Sequence, residues 1–469
     1  MTREARESCG LFGVHGVRDA ARMTYFGLYA QQHRGEESAG IVSADGETLH
    51  AHVDVGLVTD VFGSEHLDRL RGTVAIGHVR YGTAGGTDVR NAQPLVVDYA
   101  AGKIAIAHNG NLIEANRMRD EFEAHGSIFH TTTDTELIVH MLARPKNVMV
   151  DEEGVKYTLS SLKGAFCLLM LTPEKLIAAR DPNGFRPLVL GRVRSKGWVV
   201  CSETCALDLV KARYIRDVAP GEIVFIDKKG LRSETFCVKR RVQPHHCIFE
   251  QVYFARPDSR VFGDVVHEVR LALGANLAKE HPVEADVVVS VPDSGNSGAI
   301  GYARASGIPY DRGFIRNHYV GRTFINPRQS DRITGADVKL NPVKSVIRGK
   351  RVVVVDDSII RGTTSRGRIR MLRAAGAKEV HMRISCPPTR HACYYGIDFP
   401  TTTELIAANY TVEEIRDELE LDSLGYLSVE GLLASVSGPP EDYCTACWTG
   451  DYIVPVGKHL GRFSRKRKR

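Results

Sequence analysis

Two adjacent carboxylates stand between an apolar run and a turn rich in small polar residues, in the segment VVVVDDSIIRGTTS at 352–365. The valines predict a buried strand that brings Asp356 and Asp357 to its carboxyl end, and the residues after the turn predict a helix. Free N–H groups and hydroxyls at a helix N-terminus bind anions. Paired acids beside such a site suit a phosphorylated ligand. They could accept hydrogen bonds from its hydroxyls, bind its metal ion or stabilise a positive charge that develops on it. The alternative is an exposed acidic turn that only ends a strand.

A second turn of the same kind lies in VPDSGNSGAIGYA at 291–303. Its small residues allow the backbone to approach a pyrophosphate, and the Ser294 hydroxyl could bind Mg²⁺. Such a turn alone is usually only a connection, but beside the first it indicates a polyphosphate site. The basic segment 316–332, which contains Arg322, predicts a mobile lid that closes over the phosphates and excludes water. An ordinary surface loop is the alternative for that segment.

A potential nucleophile lies close to the start of the chain, where Cys9 precedes an apolar strand in ESCGLFGV. Removal of residues 1–8 would give Cys9 a free α-amino group with a pKa of roughly 7.7–8.0, suited to act as its own base. A cysteine near a terminus is more often inert, so this hypothesis depends on partner groups elsewhere in the chain.

Three further motifs supply the groups that hydrolysis of a glutamine side chain needs: HVRYGTAGG, HNGNL and TTTDTEL. Arg80 could pair with the substrate carboxylate and Asp134 with its ammonium group. The Asn109 side chain and the Gly110 N–H could form an oxyanion hole for the tetrahedral intermediate.

Length and composition limit the class of protein. A chain of 469 residues predicts two domains, and 43% hydrophobic with 25% charged residues is ordinary for a soluble protein. The start MTREARES has no apolar core, so no export signal is predicted, and we expect a cytoplasmic protein with reduced thiols and no membrane span.

Residues 465–469 carry five of the six net positive charges. They predict a disordered tail; attraction to nucleic acid, which no other basic patch supports, is the alternative.

The order of apolar segments predicts how these residues are positioned. Through about residue 236, short strands alternate with Gly and Asn turns, and helices are expected at 20–32, 112–125 and 134–143, so we predict an α+β sandwich. In the second half, β-branched strands at 285–292, 350–357 and 379–385 alternate with helices at 264–279, 296–306 and 363–375. This rhythm is typical of a parallel α/β sheet, which binds ligands at the carboxyl ends of its strands.

Eight motifs occur together in an order that resembles the amidophosphoribosyltransferase family: ESCGLFGV, QQHRGEESAGIV, IGHVRYGTAGG, AHNGNL, RDPNGFRPL, ARPDS, NHYVGRTFI and VVDDSIIRGTTS. The resemblance implies an N-terminal-nucleophile hydrolase αββα sandwich followed by a type I phosphoribosyltransferase parallel-sheet domain. It divides the chain into a propeptide (1–8), a glutaminase domain (9–236), a phosphoribosyltransferase domain (237–457) and a basic tail (458–469).

The resemblance also implies an activity and its residues. Ammonia released from glutamine at the first site would pass through a channel to 5-phosphoribosyl-1-pyrophosphate (PRPP), in the first committed step of purine synthesis. The glutaminase roles are those given above to Cys9, Arg80, Asn109, Gly110 and Asp134. Mg²⁺ would be bound at Ser294, Asp356 and Asp357. The residues expected to bind PRPP are Ser294, Arg322, Asp356, Asp357, Ser358, Arg361, Gly362, Thr363 and Thr364.

Four cysteines form a separate group of candidates. Cys444 and Cys447 make a C-x-x-C pair, and Cys247 and Cys393 lie upstream in HHCIFE and RHACYYG. Their spacing suits either tetrahedral zinc or a [4Fe–4S] cluster. One branch of the family carries a [4Fe–4S] cluster on cysteines in these contexts and also has a propeptide, so the resemblance implies that branch. Zinc or a vacant site stays open.

The resemblance implies a homo-oligomer, a tetramer or a dimer, with purine nucleotides as feedback inhibitors. Glu36 stands where the family often has Gln, and the chain reads RNHY at 316–319, so effector preference is open. Two rival functions are kept: a glutaminase of the same fold that serves another acceptor, such as a sugar phosphate, and a non-catalytic regulator that binds phosphoribosyl ligands.

Overall fold

The computed structural model describes residues 9–81, 88–99, 102–143, 152–193, 197–237, 242–317, 340–397, 399 and 402–455. The predictions for the propeptide 1–8, for Arg322 and the rest of the lid from residue 318, and for the tail 458–469 lie outside these ranges. Within them, no helix has both the length and the apolar character needed to cross a bilayer.

Two antiparallel sheets lie face to face in the first half of the chain. Their strands are β1 (Gly10–His15), β2 (Ser38–Ala44), β3 (Leu49–Val55), β4 (Val74–Arg80), β5 (Leu95–Tyr99), β6 (Gly102–Leu112), β7 (Gly164–Leu171), β8 (Leu176–Arg180), β9 (Val189–Val193), β10 (Gly197–Cys201), β11 (Arg213–Asp217), β12 (Glu222–Asp227) and β13 (Gly230–Thr235). The seven-stranded sheet has the order β11-β9-β10-β1-β4-β2-β3, and the six-stranded sheet has the order β13-β12-β8-β7-β6-β5.

The central strands of both sheets are buried on both faces, which explains their continuous apolar runs. In β7, Cys167 and Leu169 pack between the sheets, whereas Phe166 and Leu168 pack against the helices outside. This alternation is the period-two pattern of a strand with two covered faces. The layers therefore follow the predicted αββα order.

The helices of the first half are α1 (Ala20–Ala30), α2 (Val58–Val61), α3 (Ser64–Arg69), α4 (Ala115–Ala124), α5 (Thr135–Leu142), α6 (Glu152–Ser161) and α7 (Thr204–Leu209). The helix expected at 112–125 was placed too early. Strand β6 continues through HNGNL and pairs with β7 as far as Leu112 opposite Gly164, so Asn111 lies in a strand and not at a helix cap. Asp134 occupies the N-cap position of α5.

The second half contains a four-stranded parallel sheet. Its strands, with the shorter ones around it, are β14 (His246–Cys247), β15 (Arg260–Val261), β16 (Asp264–Val265), β17 (Val287–Ser290), β18 (Phe314–Arg316), β19 (Leu340–Pro342), β20 (Arg351–Asp356), β21 (Glu379–Ile384), β22 (Ser423–Tyr426) and β23 (Tyr443–Cys444). The parallel sheet has the order β17-β20-β21-β22. The three predicted strands are its first three members, which confirms the parallel α/β prediction.

The helices of this half are α8 (Val266–Glu280), α9 (Asn296–Ser306), α10 (Lys344–Ile347), α11 (Thr363–Ala374), α12 (Ile406–Asn409), α13 (Val412–Glu418), α14 (Val429–Leu433) and α15 (Ala446–Thr449), with a π-helix at Glu250–Phe254. Helices α8, α9 and α11 lie where the sequence predicted them. One apolar core, built around the valines of β17 and β20, unites the sheet with its helices.

Candidate active sites

Cys9 directly precedes β1, which lies in the middle of the seven-stranded sheet. The Arg34 Nε donates a hydrogen bond to the Cys9 carbonyl oxygen at 3.3 Å and so holds the main chain of the residue. Burial raises the pKa of the Cys9 thiol; the charges of Arg80 and Arg34 lower it, and that of Asp134 raises it. The thiol therefore stays protonated unless a base acts on it.

The two residues predicted to form an oxyanion hole lie next to each other in β6. Asn109 is 1% exposed, and neither the Nδ2 nor the Oδ1 atom of its amide has a hydrogen-bond partner among the described residues. An unsatisfied buried amide costs about 1–3 kcal/mol, so such a group commonly marks a place where a ligand binds. Gly110 has φ +150°, and a Cβ there would lie 2.0 Å from the Ala165 carbonyl oxygen. No side chain can be added at that position.

Arg80 and Asp134 supply opposite charges near the thiol. Arg80 is the last residue of β4 and is buried. The Asp134 carboxylate accepts a hydrogen bond from the Leu112 N–H at 2.8 Å and lies 3.5 Å from the His108 Nδ1. Burial opposes ionisation of Asp134, but His108 and the Leu112 N–H outweigh it, so the pKa of Asp134 is lowered. The structure thus brings an anion and a cation to Cys9.

Asp356 and Asp357 lie at the carboxyl end of β20, as predicted. The Arg368 Nη1 donates to the Asp356 Oδ2 at 2.8 Å, and the Ser358 hydroxyl donates to the Asp357 Oδ1 at 2.5 Å. Both acids are almost fully buried, so the turn does not merely end a strand in solvent.

The turn after these acids leads directly into α11. Gly362, at the N-cap position, has φ +79°, and Thr363 and Thr364 open the helix. The Arg361 Nη2 donates to Glu404 at 2.7 Å. The first-turn N–H groups of a helix have no partner within it, so they are available to an anion.

The second predicted turn meets the first one. Ser294 lies in the turn between β17 and α9, and β17 is the parallel neighbour of β20. At Gly295 an added Cβ would lie 2.5 Å from the Val355 carbonyl oxygen, so this turn packs directly on the end of β20. The two turns therefore lie side by side at the carboxyl ends of β17 and β20.

The four candidate cysteines come from distant parts of the chain and lie near one another. Cys247 and Cys444 are opposite each other in the parallel pair β14 and β23. Burial raises the pKa of Cys247 to about 12; the charge of Arg186 opposes this shift, and the charges of Glu250 and Cys393 add to it. Cys447 interacts electrostatically with the other three. No group of three or more His, Cys, Asp or Glu side chains in the described part of the chain is arranged to hold one metal ion.

Sequence and structural comparisons identify the family. A family model described as a glutamine amidotransferase domain matches residues 78–209. The amidophosphoribosyltransferase of Bacillus subtilis is 50% identical over 455 residues, which are 96% of this chain and 95% of that protein. The chain belongs to the amidophosphoribosyltransferase family. The family member from Methanocaldococcus jannaschii is 48% identical over 97% of this chain and 100% of its own length.

Two solved structures of amidophosphoribosyltransferase type match almost the whole chain. One is described as the allosteric regulatory enzyme of purine biosynthesis; it is 49% identical, has a TM-score of 0.91 and covers 96% of this chain and 97% of its own. The other is the Bacillus subtilis glutamine PRPP amidotransferase complexed with ADP and GMP, 48% identical with a TM-score of 0.91 over 97% and 99%. The predicted fold class is confirmed, and the chain is a glutamine-dependent phosphoribosyltransferase of purine biosynthesis.

The sequence did not predict a buried ion network between the two halves of the chain. The Arg34 guanidinium bonds to Glu203 at 2.5 Å and to both carboxylate oxygens of Glu250 at 3.0 and 2.8 Å. The Arg186 Nη1 also donates to Glu250, at 2.9 Å. All four side chains are fully buried. Arginines inside apolar motifs such as NGFRPL are a weak signal that such pairs exist, but they do not identify the partners.

Proposed function

We propose that this chain hydrolyses glutamine at Cys9 and transfers the ammonia to C1 of PRPP at Asp356 and Asp357, producing 5-phosphoribosylamine, glutamate and pyrophosphate. The observation that carries this proposal is the presence of two constellations in one chain: a thiol on which the charges of Arg80 and Asp134 act, in the same sandwich as the unsatisfied buried amide of Asn109, and paired acids beside a helix N-terminus. One water molecule is consumed at the first site, where glutamine is hydrolysed to glutamate and ammonia.

At the first site, the chemistry is acyl transfer through a thioester. Once residues 1–8 are removed, the α-amino group of Cys9 accepts the thiol proton, and the sulfur attacks the side-chain amide carbon of glutamine. The Asn109 Nδ2 and the Gly110 N–H stabilise the oxyanion that forms. Ammonia leaves with that proton, and water then hydrolyses the thioester. Arg80 binds the substrate carboxylate and Asp134 its ammonium group.

At the second site, the residues bind and orient PRPP and form no covalent bond with it. Asp356 and Asp357 accept hydrogen bonds from the ribose hydroxyls, and residues 358–364 bind the 5-phosphate. Ammonia attacks C1 as the bond to pyrophosphate breaks, and the two carboxylates stabilise the positive charge that develops on the sugar ring. Arg322, outside the described residues, is proposed to close over the pyrophosphate and exclude water.

The π-helix Glu250–Phe254 is the connection that we propose between the sites. Glu250 contacts Arg34, which holds the Cys9 carbonyl, and the Gln251 carbonyl accepts a hydrogen bond from the Arg270 Nε at 2.8 Å. Arg270 in turn interacts electrostatically with Asp357. We propose that ammonia crosses the interface beside this helix.

We propose that Mg²⁺ accompanies PRPP. Asp356, Asp357 and Ser294 provide the hard oxygen atoms that Mg²⁺ prefers, and the described residues offer too few of them to hold the ion alone. Mg²⁺ commonly keeps several waters and takes phosphate oxygens from a substrate, so this donor set fits. When bound, the ion would neutralise charge on the leaving pyrophosphate.

We propose a [4Fe–4S] cluster bound by Cys247, Cys393, Cys444 and Cys447. The four thiols are close enough to interact electrostatically, and the branch of the family that the sequence resembles carries a cluster on cysteines in these contexts. The Tyr395 N–H donates to the Cys393 Sγ at 3.3 Å, a contact of the kind that surrounds cluster sulfurs. Its role is structural, because no step above transfers an electron.

Regulation and assembly are proposed from the relatives. One solved relative is described as allosteric and another as a complex with ADP and GMP. We propose purine nucleotides as feedback inhibitors of this chain, a homo-oligomeric enzyme and a cytoplasmic location.

The proposal is tested by anaerobic turnover with glutamine and Mg²⁺, in which glutamate and pyrophosphate are measured with and without PRPP. Equal release of both products, only when PRPP is present, is expected for coupled sites. Glutamate release that is indifferent to PRPP would favour the rival glutaminase that serves another acceptor. PRPP binding without turnover of either substrate would favour the non-catalytic regulator.

A further inference from the structure

A short segment of the second half, residues 394–396, contacts the proposed oxyanion hole of the first half. At Gly396, an added Cβ would lie 3.1 Å from both the Cα and the carbonyl carbon of Gly110. Gly396 has φ +102°, a conformation that residues with side chains rarely adopt. The close approach and the backbone angle therefore both require glycine at this position.

Hydrogen bonds hold the same segment against β6. The Asn111 Nδ2, one residue after Gly110, donates to the Tyr394 carbonyl oxygen at 3.0 Å. The Arg186 Nε and Nη2 donate to the Tyr395 carbonyl oxygen at 3.2 and 3.0 Å. Two of the three carbonyls of the segment are thus bound by side chains of the first half.

An aromatic contact completes the attachment. The rings of Tyr395 and Phe185 are stacked, with centroids 4.2 Å apart and planes 17° apart. The Tyr395 hydroxyl is itself fixed, because it donates to the Val454 carbonyl at 3.2 Å and accepts from the Val454 N–H at 2.9 Å. The segment is therefore fixed to the second half as well as to the first.

We propose that residues 394–396 position the Gly110 peptide for oxyanion stabilisation, so that glutamine hydrolysis depends on a segment outside the glutaminase part of the chain. This inference rests on the proposed function. These are positioning residues, since their proposed effect acts through Gly110 and Asn111. An oxyanion hole works only if its donors are already aligned, and a displacement of a fraction of an ångström at Gly110 would weaken the transition state more than substrate binding.

Gly396→Ala is the direct test. The methyl group must displace Gly110 by a few tenths of an ångström, and we expect kcat for glutamine-dependent synthesis to fall about tenfold while KM for glutamine changes less than about twofold. Synthesis from free ammonia and alkylation of Cys9 by iodoacetamide should keep wild-type rates. Gly307→Ala is the matched control, because Gly307 has φ +77° with nothing within 4 Å of the added Cβ.

If the Gly396→Ala enzyme does not fold, Asn111→Ala tests the same positioning role of residues 394–396. It removes one hydrogen bond to Tyr394 and should lower the glutamine-dependent kcat by about threefold, again without an effect on ammonia-dependent synthesis. Asn276→Ala is its control, because the Asn276 Nδ2 likewise donates to a backbone carbonyl, that of Gly431 at 3.2 Å.

Three outcomes would overturn the inference: equal losses of glutamine-dependent and ammonia-dependent synthesis, no loss of either, or a higher KM for glutamine with kcat unchanged. A failure of the proposed function looks different, because the wild-type enzyme itself would then not make phosphoribosylamine from glutamine or from ammonia.

Discussion

The chemistry of Cys9 depends on a base, because burial raises the pKa of the thiol and the two nearby arginines do not offset that effect. In the described part of the chain, Asp134 and His108 already interact with each other. The α-amino group that cleavage after residue 8 would expose lies on the same residue as the thiol. This is the physical reason why the proposed propeptide and the proposed nucleophile belong together.

The first prediction is that Cys9→Ala abolishes glutamine-dependent synthesis and leaves ammonia-dependent synthesis at the wild-type rate. Loss of an acyl-transfer nucleophile typically costs on the order of 10⁴-fold or more in kcat, whereas the second site contains no atom of Cys9. Phosphoribosylamine formation should be followed with each nitrogen donor. Cys237→Ala serves as the control, since Cys237 lies after β13 at the edge of the sandwich. Loss of both activities in a folded Cys9→Ala enzyme would contradict separate sites.

The second prediction concerns His78, whose pKa is lowered to about 3 by burial. The unfolded chain binds a proton at this residue below about pH 6.5, and the folded chain does so only near pH 3. Between these values the unfolded state binds more protons, so the free energy of unfolding should decrease as the pH falls, by up to about 1.4 kcal/mol per pH unit from this residue.

Urea denaturation of the wild type and of His78→Gln between pH 4 and 7 measures that contribution. His78→Gln should show the smaller decrease in stability on acidification, while His125→Gln, at an exposed position, should match the wild type. An identical pH dependence in all three proteins would show that His78 is not buried in its neutral form.

Local patterns pointed to the candidate site residues but not to the residues that hold the two halves together. VVVVDDSIIRGTTS contains its own strand and turn, and the apolar run KIAIA leads directly into HNGNL, so the positions of Asp356 and Asn109 could be predicted from neighbours in sequence. Arg34 pairs with Glu203 and Glu250, which are 169 and 216 residues away. Such contacts depend on how the two halves of the chain pack together, and a local sequence pattern carries no information about them.

At the scale of elements, β6 shows how tertiary pairing overrides a local signal. Asn111 before an amphipathic run is typical of a helix N-cap, and the helix was therefore expected from residue 112. Pairing with β7 holds residues 109–112 in extended conformation instead, and α4 begins only at Ala115. Asn109 and Gly110 lie in this paired part of β6, so the misassigned boundary lies next to the proposed oxyanion hole.

The third prediction tests the turn into α11. Gly362→Ala should raise KM for PRPP about tenfold with either nitrogen donor, because an L-residue in the left-handed conformation costs about 1–2 kcal/mol and the turn would relax away from the phosphate. An added Cβ would also lie 2.7 Å from the Ile406 Cδ1. Initial rates at varied PRPP measure the effect.

Gly349→Ala is the control for that experiment. Gly349 has φ +72°, close to the angle of Gly362, but nothing lies within 4 Å of the added Cβ. It should lower stability without changing KM for PRPP. Equal KM values for the two variants would mean that the backbone conformation of Gly362 does not shape the phosphate site.

At the scale of the whole molecule, the two halves are joined by charge as well as by apolar contacts. Glu250 belongs to the π-helix of the second half, and its carboxylate bonds to Arg34 and Arg186 of the first. Arg186 also bonds to the Tyr395 carbonyl. One buried carboxylate therefore connects the residue that holds Cys9 with the residue that holds segment 394–396.

The fourth prediction is that Glu250→Gln lowers the free energy of unfolding by about 3–5 kcal/mol, because it leaves two fully buried guanidinium groups without their shared carboxylate. Glutamine has nearly the same shape as glutamate, so the loss reports charge and not a cavity. Glu121→Gln is the matched control: its partner Arg117 is exposed, and such a pair contributes less than about 0.5 kcal/mol. Urea denaturation followed by intrinsic fluorescence compares the two. If both variants unfold at the wild-type urea concentration, buried charge does not hold the halves together, and apolar packing alone must do so.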